Sequence, residues 1–77
     1  MKVRVKILGA LTKPFGKDDF EHEVAARACL EELLIGLGYH PGHLRFLVTS
    51  VNDRQEKLGY LLREGDQVTL MLPTSGG

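Results

Sequence analysis

No stretch of this chain comes near the ~20 consecutive apolar residues that a membrane-crossing helix needs, so neither a spanning segment nor a membrane partner is expected. The opening residues Met1-Lys2-Val3-Arg4-Val5-Lys6 alternate charge and apolarity, where a secretory leader requires a continuous apolar stretch. Cysteine is nearly absent: the single Cys29 rules out an internal disulfide and suits a reducing compartment, so a cytoplasmic location is expected. An excess of either charge is also missing, with ten Lys plus Arg against ten Asp plus Glu. That balance offers no general basic surface for phosphates, and no nucleic-acid partner is expected. Length is short as well. Seventy-seven residues make one domain with one small core, close to the lower limit for folding unaided. A deep catalytic cleft is hard to build at that size, which favours a carrier, a binding module or a subunit.

What is present is patterned. Lys2 to Leu8 alternates, with Val3, Val5 and Ile7 on one face and Lys2, Arg4 and Lys6 on the other, which predicts a strand with one wet face. Thr12 to Asp18 is dense in turn residues, and Asp19 to Val24 alternates again, so the two strands should form a hairpin. From Ala25 to Leu37 the period changes: Ala28, Leu30, Leu33, Leu34 and Leu37 fall at helical spacing, with Glu31 and Glu32 near the start where the helix dipole favours negative charge. Gly38 suits the C-terminal cap, and Cys29 stands where a Ser or Thr N-cap is usual. Leu44 to Val51 is apolar at nearly every position and predicts a central strand. Leu58 to Leu62 fits a brief strand or one helical turn. Arg63-Glu64-Gly65-Asp66 is a turn, and Val68 to Leu72 the last strand, with Val68, Leu70 and Leu72 facing the helix.

Beyond that strand lies Pro73-Thr74-Ser75-Gly76-Gly77. Proline ends ladder pairing and favours an extended exit, and two glycines without Cβ can thread a channel too narrow for side chains. Extended, the segment would reach about 16 Å at up to ~3.3 Å per residue. A frayed terminus or an expression remnant is the alternative.

The order strand, strand, helix, strand, short element, strand is that of an α+β roll. A right-handed crossover lays the helix on the apolar face of the sheet, and the last strand belongs beside the first. This is the layout of the β-grasp, or ubiquitin-like, fold: a mixed sheet of four to five strands with one main helix on one face. Residues 1–72 would form the domain and 73–77 a flexible tail.

Several pieces of the chain resemble the sulfur carriers of the ThiS/MoaD type, and among them the small subunit of molybdopterin synthase. Lys2 to Lys17 is similar to that family's first strand and extended hairpin, Val24 to Leu34 to its strand-to-helix segment, and Val51-Asn52-Asp53-Arg54 to the turn after its third strand. Leu62-Arg63-Glu64-Gly65-Asp66-Gln67-Val68 resembles its Gly-Asp turn, and Leu72-Pro73-Thr74-Ser75-Gly76-Gly77 its terminal signature. Cys29 departs from the usual threonine or serine, and Gln55 to Leu62 matches only loosely.

The resemblance implies that the Gly77 carboxylate is the working group, presented on Pro73, Thr74, Ser75 and Gly76. A ubiquitin-activating-type adenylyltransferase would activate it with ATP, a sulfur donor would convert it to a thiocarboxylate, and a large synthase subunit or another acceptor enzyme would receive the sulfur. The chain itself would hold no cofactor and turn nothing over. Alternation places Met71 outward, and Leu47 with it if Leu44, Phe46 and Val48 face the core. Flanked by Arg4 and Lys6, that pair would make a docking patch; scattered surface hydrophobes are the bland reading of the same residues. A carrier for thiamine or cysteine synthesis, a ubiquitin-like modifier, and an interaction module with an inert tail are each compatible with this sequence too.

The remaining polar residues carry less. His40 and His43 are i, i+3 near a turn without further ligands, so no metal site is expected. Cys29 has no His or second Cys beside it in the sequence and reads as a small buried residue or poor cap. Asp18, Asp19, Glu21 and Glu23 fit a solvated edge better than paired catalytic carboxylates, and Lys2, Arg4 and Lys6 fit a wet strand face better than a phosphate site.

Overall fold

The alternating N-terminal segment forms β1 (Lys2–Leu8), which pairs antiparallel with β2 (Asp19–Glu23) in a computed structural model describing residues 1–73. Helix α1 (Leu30–Gly36) follows, then β3 (Val48–Val51), β4 (Arg54–Gln55) and β5 (Gln67–Met71). The five strands form one sheet in the order β2-β1-β5-β3-β4. β5 runs parallel to β1 on one side and antiparallel to β3 on the other, so the last strand lies beside the first, as expected. A mixed sheet with one main helix over one face is the α+β β-grasp arrangement. The core lies between them: Leu30, Leu33 and Leu34 of α1 are buried with Val3, Val5 and Ile7 of β1, Val51 of β3, and Val68 and Leu70 of β5.

The helix is shorter than its periodicity predicts. It begins at Leu30 rather than Ala25, because tertiary pairing claims the residues before it. Leu62 N–H donates to Ala28 C=O (2.9 Å), Leu30 N–H to Tyr60 C=O (3.0 Å) and Glu31 N–H to Leu58 C=O (2.9 Å). Cys29 and Leu61 form an isolated antiparallel bridge, so the ambiguous segment 58–62 serves as a strand-like brace. Arg27 turns the chain with φ 67°. Cys29 then stands at the N-cap, its N–H donating to Glu32 Oε1 at 3.1 Å. At the other end Gly38 N–H donates to Ile35 C=O and Tyr39 N–H to Leu34 C=O, at 3.0 and 3.2 Å. Those paired bonds are a Schellman cap, and they place Gly38 at φ 102°, where a side chain is strained.

The central strand also differs from expectation. Pro41–Phe46 is a 3₁₀ turn and only Val48–Val51 is strand. Pro41 sets the helical φ at the first position, and His40 Nδ1 accepts from Gly42 N–H at 3.0 Å, so local capping wins over the apolar run. The change of path reverses the expected parity. Leu44 is still buried, from the turn, but Phe46 is 55% exposed, and Thr49 and Val51 face the core in place of Val48. The buried Thr49 hydroxyl donates to Glu56 C=O at 2.8 Å. Leu72 departs too: its alternation points it coreward, yet it lies past the end of β5 and is 45% exposed.

Two turns are locked to each other at the opposite end of the sheet. Asn52 and Asp53, with φ 52° and 69°, close the β3–β4 hairpin as a type I′ turn suits. Asn52 Nδ2 donates to Asp66 Oδ1 (2.9 Å), its Oδ1 accepts from Gln67 N–H (3.0 Å), and Asp66 Oδ2 accepts from Arg63 N–H (2.8 Å). The Gly-Asp turn is therefore a structural clamp at the entry to β5. Replacing Asp66 by Ala leaves Asn52 Nδ2 and Arg63 N–H without this acceptor. Urea melts should show a loss of about 2 kcal/mol. Leu70→Ala should cost about 2–5 kcal/mol and Leu72→Ala under about 1 kcal/mol in the same melts, since only Leu70 is in the core.

Candidate functional site

β5 is flanked on both sides by strands, so the position where it ends is held by the whole sheet. It ends at Met71, and Leu72 and Pro73 lead away, both exposed. Thr74, Ser75, Gly76 and Gly77, expected to carry the chemistry, lie outside the described residues. The surroundings of the tail root are defined on both faces of the sheet.

On the face away from α1, Met71 stands between Leu8 of β1 and Val48 of β3 in register. Leu8, Met71 and Val48 form an apolar row across three strands, with Lys6, Thr69 and Ser50 in the next row. Leu47 is not part of it. It caps the 3₁₀ turn and packs half-buried against the core, because the turn shifts the parity on which its outward orientation depended. Val48 takes the position expected of Leu47. Leu8 was legible, standing two residues beyond Lys6 on the same wet face, but Val48 could be placed only once the turn was known.

The two expected cations differ. Arg4 Nε donates to Asp19 Oδ1 at 2.8 Å, and that hydrogen bond, with the carboxylate's charge, raises the guanidinium pKa. Arg4 is thus committed to the β2 edge. Lys6 stands in register with Asp19 on one side and Thr69 on the other, next to the apolar row.

On the helix side of the tail root, Leu72 helps line an open cleft of about 330 Å³ with Leu11, Tyr39, Phe46 and Leu47. Tyr39 is anchored by its hydroxyl donating to Thr12 C=O at 2.6 Å, and burial pushes its phenol pKa up. His40 and His43 border this cleft with ring centroids 4.9 Å apart, the result of i, i+3 alignment in a 3₁₀ turn. Among the described residues, no three of His, Cys, Asp and Glu come together as a metal-binding group. No helix among them is long and apolar enough to cross a membrane.

No family model matches the chain, and no curated protein does. Solved structures do. SAMP1 from Haloferax volcanii is 24% identical with a TM-score of 0.78, and the match covers 100% of each chain. A chain in the complex of subunits 1 and 2 of the molybdopterin-converting factor from Helicobacter pylori 26695 is 27% identical, again over 100% of both chains, with a TM-score of 0.66. Ubiquitin of Caldiarchaeum subterraneum is 21% identical with a TM-score of 0.59, covering 100% of this chain and 98% of that one. This chain has the ubiquitin-like β-grasp fold, and a neighbour from a molybdopterin-converting factor complex matches the ThiS/MoaD-type family that its sequence resembles.

Proposed function

We propose that this chain is a sulfur carrier whose Gly77 carboxylate is activated and thiolated by partner enzymes, with molybdopterin synthesis as the pathway and the small subunit of a synthase as its place. The observation that carries the proposal is the position of β5. A strand paired on both sides ends beside apolar side chains on both faces, with only Leu72 between its end and Pro73, which the Thr-Ser-Gly-Gly sequence follows. A rigid body with a docking surface at the root of a slender segment is what a carrier needs. The complex of subunits 1 and 2 of the Helicobacter molybdopterin-converting factor supports a larger subunit as acceptor.

The chemistry asks little of the carrier. A carboxylate is a poor electrophile, because its charge is delocalised and oxide is a poor leaving group. Attack of its oxygen on the α-phosphorus of ATP releases pyrophosphate and gives an acyl-adenylate, an anhydride with AMP as leaving group. A sulfide or persulfide donor attacks the carbonyl and expels AMP; a persulfide adduct then needs reductive S–S cleavage. The product is a thiocarboxylate, a soft nucleophile ready for an acceptor. The enzymes supply the groups that stabilise developing charge, and this chain supplies the reacting carboxylate, its reach and the docking face. Met71, Leu8, Val48 and Lys6 are proposed for that face, with Leu47 acting from the helix side.

The SAMP1 and ubiquitin neighbours favour a second reading in which a lysine amine captures the same activated carbonyl, making the chain a modifier. Both readings share the activation step. Intact-mass spectra of the chain with its activating enzyme, ATP and a sulfur source should show a gain of about 16 Da at Gly77, one oxygen replaced by sulfur. Deletion of Gly76 and Gly77 should abolish it. An unchanged mass beside an enzyme active on its own carrier would remove the proposal in favour of a binding module with an inert tail. Gly77→Phe should leave thermal stability unchanged and block adenylation; adenylation at the normal rate would mean that no narrow channel receives the tail.

A further inference from the structure

The cleft beside Leu72 is largely apolar within, with Arg45 and Lys13 next to wall residues. Leu11, Tyr39, Phe46, Leu47 and Leu72 supply its walls. The Arg45 guanidinium lies 4.9 Å from the Phe46 ring centroid, so its charge sits over one wall. Lys13 follows the residues of another wall, with Nζ 3.4 Å from Gly9 C=O. His40 Nδ1 accepts from Gly42 N–H, which in the neutral ring places the proton on Nε2 and leaves it a donor. Among the described residues, no carboxylate lines the cleft. The sequence reinforces this: all ten Asp and Glu fall within residues 18–32 and 53–66, and none within 9–17, 33–52 or 67–73, which supply the cleft. Among the described residues, the lining thus holds two imidazoles and no acid, with the Arg45 charge against one wall and Lys13 next in the chain to another.

We propose that this cleft is a docking site for a partner protein's acidic segment, one apolar side chain of which inserts between Phe46, Leu47 and Leu72 while flanking carboxylates meet Arg45, Lys13 and the His40 Nε2–H. The volume suits a side chain or two and lies at the small end of ligand sites. Charge complementarity selects the partner: a basic segment would meet like charge with no acidic residue in the lining to relieve it. The site is separate from the Leu8–Met71–Val48 row, which lies on the other face of the sheet, and it does not depend on the chemistry of Gly77.

The test is a titration of the full-length, isotopically labelled chain, followed by amide NMR shifts. The probe is a short peptide, capped at both ends, with one leucine flanked by aspartates and glutamates. Two control peptides replace the flanking acids by lysines or the leucine by alanine. The site predicts saturable shifts confined to residues 10–12, 39–47 and 72 with the acidic leucine peptide, and none with the lysine peptide. The alanine peptide should bind several-fold more weakly. Arg45→Glu and Phe46→Ser, both at exposed positions, should each weaken binding several-fold while keeping the dispersed spectrum of the fold. Raising salt from about 0.05 to about 0.5 M should weaken it further.

Absence of saturable shifts, equal binding of the lysine peptide, or shifts centred on Leu8, Met71 and Val48 would overturn the proposal. Cleft shifts that grow with protein concentration alone would assign the surface to a second copy. Cleft shifts on deleting Thr74–Gly77 would assign it to the chain's own tail. Either assignment would overturn the proposal as well.

Discussion

The placement of β5 between β1 and β3 is the constraint on which the rest of this molecule depends. Both edges of the strand are paired, one parallel and one antiparallel, and Val68 and Leu70 are fully buried beneath α1. A slip of one residue would turn those two side chains to water and drive Thr69 and Met71 into the core. Register is held at the strand entry by Asp66, which binds Asn52 and the Arg63 N–H, and by Arg4 N–H donating to Asp66 C=O at 2.9 Å. Five residues after Asp66 the same register sets Met71 between Leu8 and Val48 and points Leu72 to the other side. The clamp at one end of β5 therefore decides what surrounds the root of the tail at the other.

That root divides two different surfaces. The sheet face is flat, with an apolar row bordered by Lys6, Thr69 and Ser50, and suits a partner that lies against strands. The helix side is concave and lined by a turn and a loop, and suits an inserted side chain. Their residues come from the same strands or from directly adjoining segments: Leu8 from β1, Leu11 from the loop after it, Val48 from β3, Leu47 from the position before it.

Legibility followed the range of the forces. The alternation of Val3, Val5 and Ile7 against Lys2, Arg4 and Lys6 needs only a strand with one wet face, and it is reproduced residue for residue. Gly38 was recognisable as a cap because a left-handed residue past a helix is a local demand. Ala25 to Ala28 reads as helix in periodicity, but Arg27 turns the chain at φ 67° and Ala28 C=O is taken by Leu62 N–H, some thirty residues later in the chain. Leu44 to Val51 carries five apolar residues among Arg45, Thr49 and Ser50 without clean alternation, and such a run fits a strand or a buried turn equally well. Pro41 and the His40 ring decided for the turn, and with it whether Leu47 or Val48 stands beside Met71.

By itself the sequence determined the first hairpin, the presence of one main helix and its Gly38 cap, the turn at Asn52-Asp53, the Gly-Asp turn, and the presence of a Pro-Thr-Ser-Gly-Gly segment after a strand. Each rests on a local rule: period two, period 3.6, a fixed φ at proline, a left-handed φ at Gly38. Tertiary structure alone decided the start of α1, the exposure of Phe46 and Leu72, the pairing of Arg4 with Asp19, and the gathering of Leu11, Tyr39, Phe46, Leu47 and Leu72 into one cleft. Those features join residues far apart in the chain, and their free energy comes from contacts that no single segment contains.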